Sequence, residues 1–304
     1  MERPLVSVAV ITYNSASTVI ETLDSILNQT YSNIELIISD DCSTDNTIEI
    51  CENWLNDNQA SFIRTTLIQS PINTGISANC NRAEDACHGE WEKLLAGDDL
   101  LLPQCIETYM QHIAGRTNSL CFFSRVQYFN AQKEEIIDHP FFNYDFFTLS
   151  HEQQLHYLIY EWNCLPAASA FLNLRLLRNL GIRNDERIPM MEDWPKWINI
   201  LNAGYKLEFL DEQLVKYRVS DGISTTKANP AFYFSGKMFT LLYLYPEWRK
   251  RDPDDAFYRL QVYMKDGEPS ARERRNMRVG EFLLNPLYKI KDIICSIRKQ
   301  QNGE

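Results

Sequence analysis

Several features are missing from this 304-residue sequence, and each absence narrows what it can be. No stretch approaches the roughly 18 consecutive apolar residues that a bilayer-spanning helix needs. A strand-like pattern begins at Leu5, which leaves no room for a secretory leader and predicts a soluble or peripheral cytoplasmic protein. There are eight cysteines, but no Cys-x-x-Cys spacing and no compact Cys/His cluster, which argues against a zinc site and fits buried, reduced thiols. Neither an internal repeat nor a low-complexity linker is present. A basic body is missing too. Net charge is −11, and the last stretch, Ser270 to Glu304, runs the other way with eight Lys/Arg against four Asp/Glu. The rest is therefore strongly acidic, which excludes a nucleic-acid-binding body. With 44% apolar and 23% charged residues, wholesale disorder is excluded as well.

What is present is an alternation of short apolar runs and helical patterns. Leu5–Ile11, Ile34–Ser39, Phe62–Ile68 and Trp91–Leu95 read as strands rich in β-branched or large apolar residues. Between them, helices are predicted from Val19 to Leu27, from the Ser43–Thr47 cap cluster toward Leu55, and from Ile76 to Cys87. Pro103 suits the first position of another. Such alternation predicts a mostly parallel sheet with helical crossovers. Beyond residue 115 the pattern predicts a hairpin from Leu120–Phe129 and Glu135–Ile137, helices at His151–Tyr160 and Asp193–Ala203, and strands at Lys206–Leu210 and Gln213–Val219. From Pro230 only helices are expected.

Two acidic doublets close apolar runs: Asp40-Asp41 after Glu35–Ser39, and Asp98-Asp99 after Lys93–Gly97. Open α/β sheets bind ligands at the carboxyl ends of their strands. Carboxylates there are the hard oxygen ligands that Mg²⁺ or Mn²⁺ takes alongside substrate phosphates. The doublets thus predict a metal-assisted site for a phosphorylated ligand.

In order along the chain stand Val6–Asn14 (Val-Ser-Val-Ala-Val-Ile-Thr-Tyr-Asn), Ile26–Tyr31, Asp40–Thr47 (Asp-Asp-Cys-Ser-Thr-Asp-Asn-Thr), Asn73–Ser77 and Gly97-Asp98-Asp99. This series resembles the family 2 glycosyltransferases, densely over residues 5 to 105 and more loosely to about 225. The resemblance implies the glycosyltransferase-A fold: an α/β, Rossmann-like domain over residues 1–228, with a nucleotide-sugar half (1–115) and an acceptor half (116–228), and a helical extension over 229–304. It implies inverting transfer of a sugar from a nucleotide-diphosphate-sugar, with a UDP-sugar favoured, to a saccharide hydroxyl in surface polysaccharide assembly, with Mn²⁺ or Mg²⁺ as cofactor.

The resemblance also assigns roles. Asp99 is the metal ligand, and Asp98 faces the ribose or the sugar. Asp41 accepts a hydrogen bond from the nucleobase imide, and Thr12, Tyr13 and Asn14 form a base and ribose wall. Asn73 opens the stretch that often carries an arginine near the diphosphate. That place falls on Cys80, and Arg82, two positions on, lies on another helix face. In Glu192-Asp193 the second acid is the general base that takes the acceptor's proton, and the first supports it. Trp194 and Trp197 are candidates to stack on a sugar face, and Arg218 is a candidate to neutralise phosphate. Two departures stand out. Family members usually carry an acid-x-acid form where this chain has Ala96-Gly97, and often a histidine where it has Ser220.

Simpler readings remain beside these. Asp98 and Asp99, or Glu192 and Asp193, also suit acidic helix N-termini, and Asp41 suits a cap. Tyr13, Trp194 and Trp197 suit core packing, and Arg218 a surface ion pair. The basic tail, with apolar residues at spacings of three and four from Leu283, fits a helix on an anionic membrane, where a lipid-linked acceptor would lie. It equally fits a helix packed on the catalytic domain or on a second copy in a homodimer. Two other functions compete: a catalytically inactive nucleotide-sugar-binding subunit, and a sugar-1-phosphate nucleotidyltransferase. The latter needs a glycine-rich basic loop after the first strand, and Thr12-Tyr13-Asn14-Ser15 is not one.

Overall fold

The structure is a computed structural model that describes residues 3–116, 119–130, 135–136, 143–219 and 230–264. The expected amphipathic tail and the Ser220–Ser224 stretch lie outside these residues.

The first half is built as the alternation predicts. Strand β1 (Val6–Thr12) is followed by α1 (Val19–Leu27), β2 (Ile34–Asp40), α2 (Thr47–Asn58), β3 (Arg64–Gln69), α3 (Ile76–Ala86) and β4 (Trp91–Ala96). β1 is apolar and buried over nearly its whole length because it pairs in parallel with β2 on one side and β4 on the other. The edge strand β3 is more polar and only partly buried. Register aligns the strand ends, with Thr12 opposite Asp40 and Ile11 opposite Ala96. The segments that follow β1, β2 and β4 therefore leave the sheet at one rim, and both acidic doublets lie on it.

The second half adds β5 (Leu100–Leu101), α4 (Cys105–Ile113), β6 (Cys121–Asn130), β7 (Glu135–Ile136), α5 (His151–Tyr160), β8 (Phe171–Asn173), α6 (Leu174–Leu180), α7 (Asp193–Asn202) and β9 (Leu207–Arg218). The sheet runs β3-β2-β1-β4-β8-β6-β9-β5, with β7 paired to β6. It is parallel across the first four strands and mixed beyond them. Two expected strands, Lys206–Leu210 and Gln213–Val219, are one. β9 stays continuous because exposed Asp211 and Glu212 bulge out where its register with β6 shifts. Pro103 does not begin a helix. Its carbonyl accepts the Thr30 N–H at 2.9 Å, and α4 starts at Cys105. The short strands β5 and β8 and the helix α6 went unanticipated. β5 matters to the site, because its antiparallel pairing with β9 carries Arg218 back to the second acidic doublet.

The halves are joined by polar burial as well as by an aromatic core in which Phe171 stacks between Trp91 (5.3 Å) and Tyr109 (4.6 Å). Helix α3 buries Ser77, Asn79, Asn81 and Glu84, and each has a partner. Ser77 Oγ donates to the Ile188 carbonyl (2.6 Å), and Asn81 Nδ2 donates to Glu186 (2.7 Å). Glu84 forms a fully buried ion pair with Lys196 of α7 and also accepts from Asn184 Nδ2 (2.9 Å). Glu92 of β4 is buried beside this pair, and its carboxyl is pushed up to about 8, first by burial and then by the Glu84 charge.

The chain divides into two compact units, Met1–Gly236 and Lys237–Glu304. Helix α8 (Pro230–Phe239) spans that division. In the described part of the second unit, a wide turn over Thr240–Leu244 leads to α9 (Tyr245–Arg251) and α10 (Pro253–Met264). There Trp248 is buried under the Arg259 guanidinium, which pairs with Asp255 at 2.7 Å. Among the described residues, no helix is long and apolar enough to cross a membrane.

Because Lys196 is the counter-charge of a buried carboxylate pair, Lys196→Met should lower stability by about 3–5 kcal/mol. Urea unfolding monitored by circular dichroism checks this. A change below about 1 kcal/mol would show that the pair does not hold α7 to α3.

Candidate active site

At the end of β1, Thr12 Oγ1 donates to Asp40 Oδ1 at 2.8 Å, and the side chain is buried. Asn14 takes a positive φ of 54°, which asparagine tolerates. Its Oδ1 accepts the Thr44 N–H at 2.8 Å. Thr12 and Asn14, expected in a ligand wall, thus tie the first turn to the 40–45 loop. Tyr13 between them is 38% exposed and presents its ring outward.

Asp41 follows β2 and is 3% exposed. Its carboxylate accepts the backbone N–H groups of Thr74 (2.9 Å) and Gly75 (2.8 Å), the Thr74 hydroxyl (2.6 Å) and Arg82 Nη2 (3.3 Å). The carboxylate expected to accept from a nucleobase is held by the 73–75 turn, while Asn73 stays exposed with Oδ1 3.2 Å from the Gly75 N–H. Arg82 was set apart on helical geometry. Its length overcomes that, because it reaches Asp41 and also donates to Thr74 Oγ1 (2.7 Å) and Asn79 Oδ1 (2.9 Å). Cys80, at the expected arginine place, is buried in the core.

After β4 the chain passes Gly97 in close contact with the first turn. A Cβ there would lie 2.9 Å from Thr12 Cγ2 and 3.1 Å from Ser15 Oγ, so only glycine fits. Asp99, just beyond the strand end, is 2% exposed. Its Oδ1 accepts the Arg218 N–H at 2.9 Å. Burial, and then the neighbouring Asp98 charge, pushes its carboxyl well above the usual range. Burial raises Asp98 as well, against the pull of Arg218. The Arg218 guanidinium is no surface pair. It is buried over the Phe129 ring (4.6 Å), donates from Nε to the Asp98 carbonyl (2.8 Å) and pairs with Glu21 (2.9 Å).

The third acidic corner opens α7. Glu192 precedes the helix and Asp193 begins it, with Pro195 in the first turn. Burial, and then the Asp193 charge, lifts Glu192 to about 7. Burial lifts Asp193 too, opposed by the Trp194 N–H and by Asn163, whose Nδ2 donates to Asp193 Oδ2 at 2.7 Å. Trp194 is committed on one edge: its Nε1 donates to the Leu158 carbonyl at 2.9 Å. Its ring meets Trp162 edge-on at 6.1 Å, and Trp162 is 50% exposed. Trp197 is core, packed edge-on to Phe123 at 5.0 Å. Trp162 and Asn163 were not singled out from sequence, because they carry no local motif and gain meaning only through partners some thirty residues away.

Two links bring the corners together. The Ser77 N–H donates to the Pro189 carbonyl at 3.1 Å, so the Asp41 turn abuts the segment that leads to Glu192. Tyr217, one residue before Arg218, feels the charges of Asp99, Asp98 and Glu192 together, and these and burial raise its phenol.

Among the described residues, no group of three or more His, Cys, Asp or Glu side chains forms a ready-made metal cluster. The donor set is a pair of adjacent carboxylates whose charged forms burial disfavours. That fits an ion of the Mg²⁺ type, which binds through one or two carboxylates and completes its shell with water and substrate phosphates.

The family model described as Glycosyl transferase family 2 matches residues 7–177. The UDP-Glc:α-D-GlcNAc-diphosphoundecaprenol β-1,3-glucosyltransferase WfaP of Escherichia coli is 29% identical over 220 residues, covering 72% of this chain and 78% of WfaP. The putative teichuronic acid biosynthesis glycosyltransferase TuaG of Bacillus subtilis is 26% identical over 228 residues, covering 74% and 83%. Among solved structures, residues 1–349 of TarS from S. aureus in complex with UDP-GlcNAc superpose with a TM-score of 0.57 at 19% identity, covering 85% of this chain and 72% of that one. The chain spans 44% of the longer TarS structure. These likenesses show that the fold is the glycosyltransferase-A fold the motifs implied.

The contact between corners gives a testable consequence. Gly75 has φ of 89°, and a Cβ there would lie 2.7 Å from Pro189 Cβ. Gly75→Ala should lower stability by about 1–3 kcal/mol and weaken UDP binding at least several-fold. Calorimetric titration alongside urea unfolding checks both. Unchanged affinity would separate the 73–75 turn from the nucleotide site.

Proposed function

The chain belongs to glycosyl transferase family 2, and from that membership we propose that it moves a sugar, with inversion, from a UDP-sugar to a hydroxyl of a lipid-linked saccharide during polysaccharide assembly. The observation that supports the proposal is that Asp98, Asp99 and Glu192, from two separate segments, all lie near enough to Tyr217 for their charges to add to burial in raising its phenol. One acidic pair sits at the strand end where a diphosphate would bind, and the other starts a helix on the acceptor half. Two relatives support the substrate class: WfaP is a UDP-Glc enzyme acting on a diphosphoundecaprenol-linked sugar, and TarS is seen with UDP-GlcNAc.

In this reading the exposed Tyr13 ring covers one face of the base, and Asp41 with the 73–75 turn borders it. Asp99 would hold a Mn²⁺ or Mg²⁺ ion with Asp98 beside it, supplying charge neutralisation for the departing diphosphate. Asp193 takes the acceptor hydroxyl's proton as that oxygen attacks the anomeric carbon. The bond from that carbon to the diphosphate oxygen breaks on the opposite face, and its electron pair leaves with the diphosphate. The Arg218 guanidinium fixes the 98–99 corner through its own contacts. The basic stretch 270–304 would hold the protein to an anionic inner membrane face, where such an acceptor resides.

The experiment measures UDP release and product formation from UDP-glucose or UDP-GlcNAc with Mn²⁺ and a diphosphoundecaprenol-linked GlcNAc acceptor. Asp193→Asn should lower kcat by about 10²–10⁴-fold with donor Kd within about twofold. A large rise in Kd would make Asp193 a binding residue. Asp99→Asn, which keeps an acceptor for the Arg218 N–H, should abolish Mn²⁺-dependent turnover with a melting transition no lower than that of wild type. Retained turnover would remove the metal assignment.

A further inference from the structure

The loop after α5 lies against the proposed base. Asn163 Oδ1 accepts the Leu165 N–H at 3.2 Å, an Asx turn that fixes which way the amide faces. With its oxygen turned to its own backbone, Asn163 must aim its NH₂ group at Asp193, and Nδ2 lies 2.7 Å from Oδ2. The same two segments meet at two further points, the Trp194 Nε1 bond to the Leu158 carbonyl and the edge-on contact between Trp162 and Trp194. The corner is thus clamped without the Asn163–Asp193 bond. That bond instead acts on a carboxylate.

We propose that Asn163 is a positioning residue for the transfer reaction, holding one oxygen of the Asp193 carboxylate so that the other meets the acceptor hydroxyl. The proposal rests on Asp193 being the base. The groups around Asp193 make the amide consequential. From its own segment come Glu192, just before the helix, whose carboxyl the Asp193 charge raises, and Lys196 one turn on, which is committed to Glu84. From β9 comes the Tyr217 phenol, facing Glu192. From the α5 loop comes the uncharged amide donor of Asn163. Burial drives Asp193 toward its protonated form, which cannot accept a proton, and the Asn163 bond favours the charged form. Loss of the donor should therefore raise the pH at which the base becomes active.

Asn163→Asp is the decisive variant. It keeps the shape and the acceptor for the Leu165 N–H, and it replaces the donor with a second carboxyl that would share a proton with Asp193. Profiles of kcat against pH are measured for wild type, Asn163→Asp and Asn163→Ala with UDP-GlcNAc, Mn²⁺ and the diphosphoundecaprenol-linked GlcNAc acceptor, or with UDP-glucose where that donor turns over. The acidic limb should move up by about one pH unit or more in Asn163→Asp and in the same direction in Asn163→Ala. That corresponds to roughly a tenfold loss below the limb, with donor KM within about twofold. A limb superimposable on wild type in both variants overturns the proposal, even where kcat falls uniformly. Asp193→Asn in the same assay separates the two levels. If it is inactive and the Asn163 limbs do not move, the Asn163 proposal alone falls. If it turns over like wild type, the base assignment falls and takes Asn163 with it.

Discussion

The Lys196 ammonium, buried between α7 and α3, is the contact on which the rest of the site depends. It neutralises Glu84 on α3 beside the equally buried Glu92 of β4. Removing such a charge from water is costly, and the cost is recovered only while its partner stays in place. The pair therefore forces α7 against α3. The first end of α3 carries the 73–75 turn, Arg82 reaches back toward it from mid-helix, and the start of α7 carries Glu192 and Asp193. A single ion pair in the interior thus helps set the spacing of two corners that share no sequence neighbourhood. The remaining buried amides of α3 reinforce this, since each of Asn81 and Asn184 satisfies the other's half of the structure.

Geometry on the other side is set by backbone pairing. Register in β1, β2 and β4 places their ends in one row, and Gly97 lets the third end approach the first without a side chain between them. β9 then returns past the bulge at Asp211 and Glu212 to pair with β5, and its last residue donates its N–H to Asp99. Arg218 is drawn inward by that pairing and is spent on the Asp98 carbonyl and Glu21, which explains why a lone arginine at a strand end is buried.

Much of this was legible because it is local. The acidic doublets, the turn residues and the alternation of strand and helix are each encoded within a few positions, and they put Asp41 and Asp99 just after strands and Asp193 at the start of a helix, where the structure has them. What escaped is what needs partners. β5 and β8 are two and three residues long and are strands only because β9, β4 and β6 pass beside them. A helical wheel separates Arg82 from position 80, yet a long side chain spans the gap to Asp41. Burial of Asp99 could not be read from a doublet that looks polar in sequence. Asn163 and Trp162 sit in a stretch with no motif, and their roles exist only against Asp193 and Trp194.

The acidic corners also run against stability. A carboxyl whose folded pKa lies above its unfolded value binds a proton more tightly in the folded state, so its contribution is fully present at low pH and is lost as pH rises through the folded value. For Glu192 that window runs from the ordinary carboxylate range to about 7. Glu92 carries the same sign up to about 8. Glu92 sits against Lys196 and Arg178, which lower it, so the interior already contains part of the remedy. Asp98 and Asp99 share Arg218, but it only partly offsets their burial. A fold selected for stability alone would separate two such acids or leave them in water. Holding them side by side at the strand end costs the fold stability, and a divalent cation of the kind proposed would offset that cost.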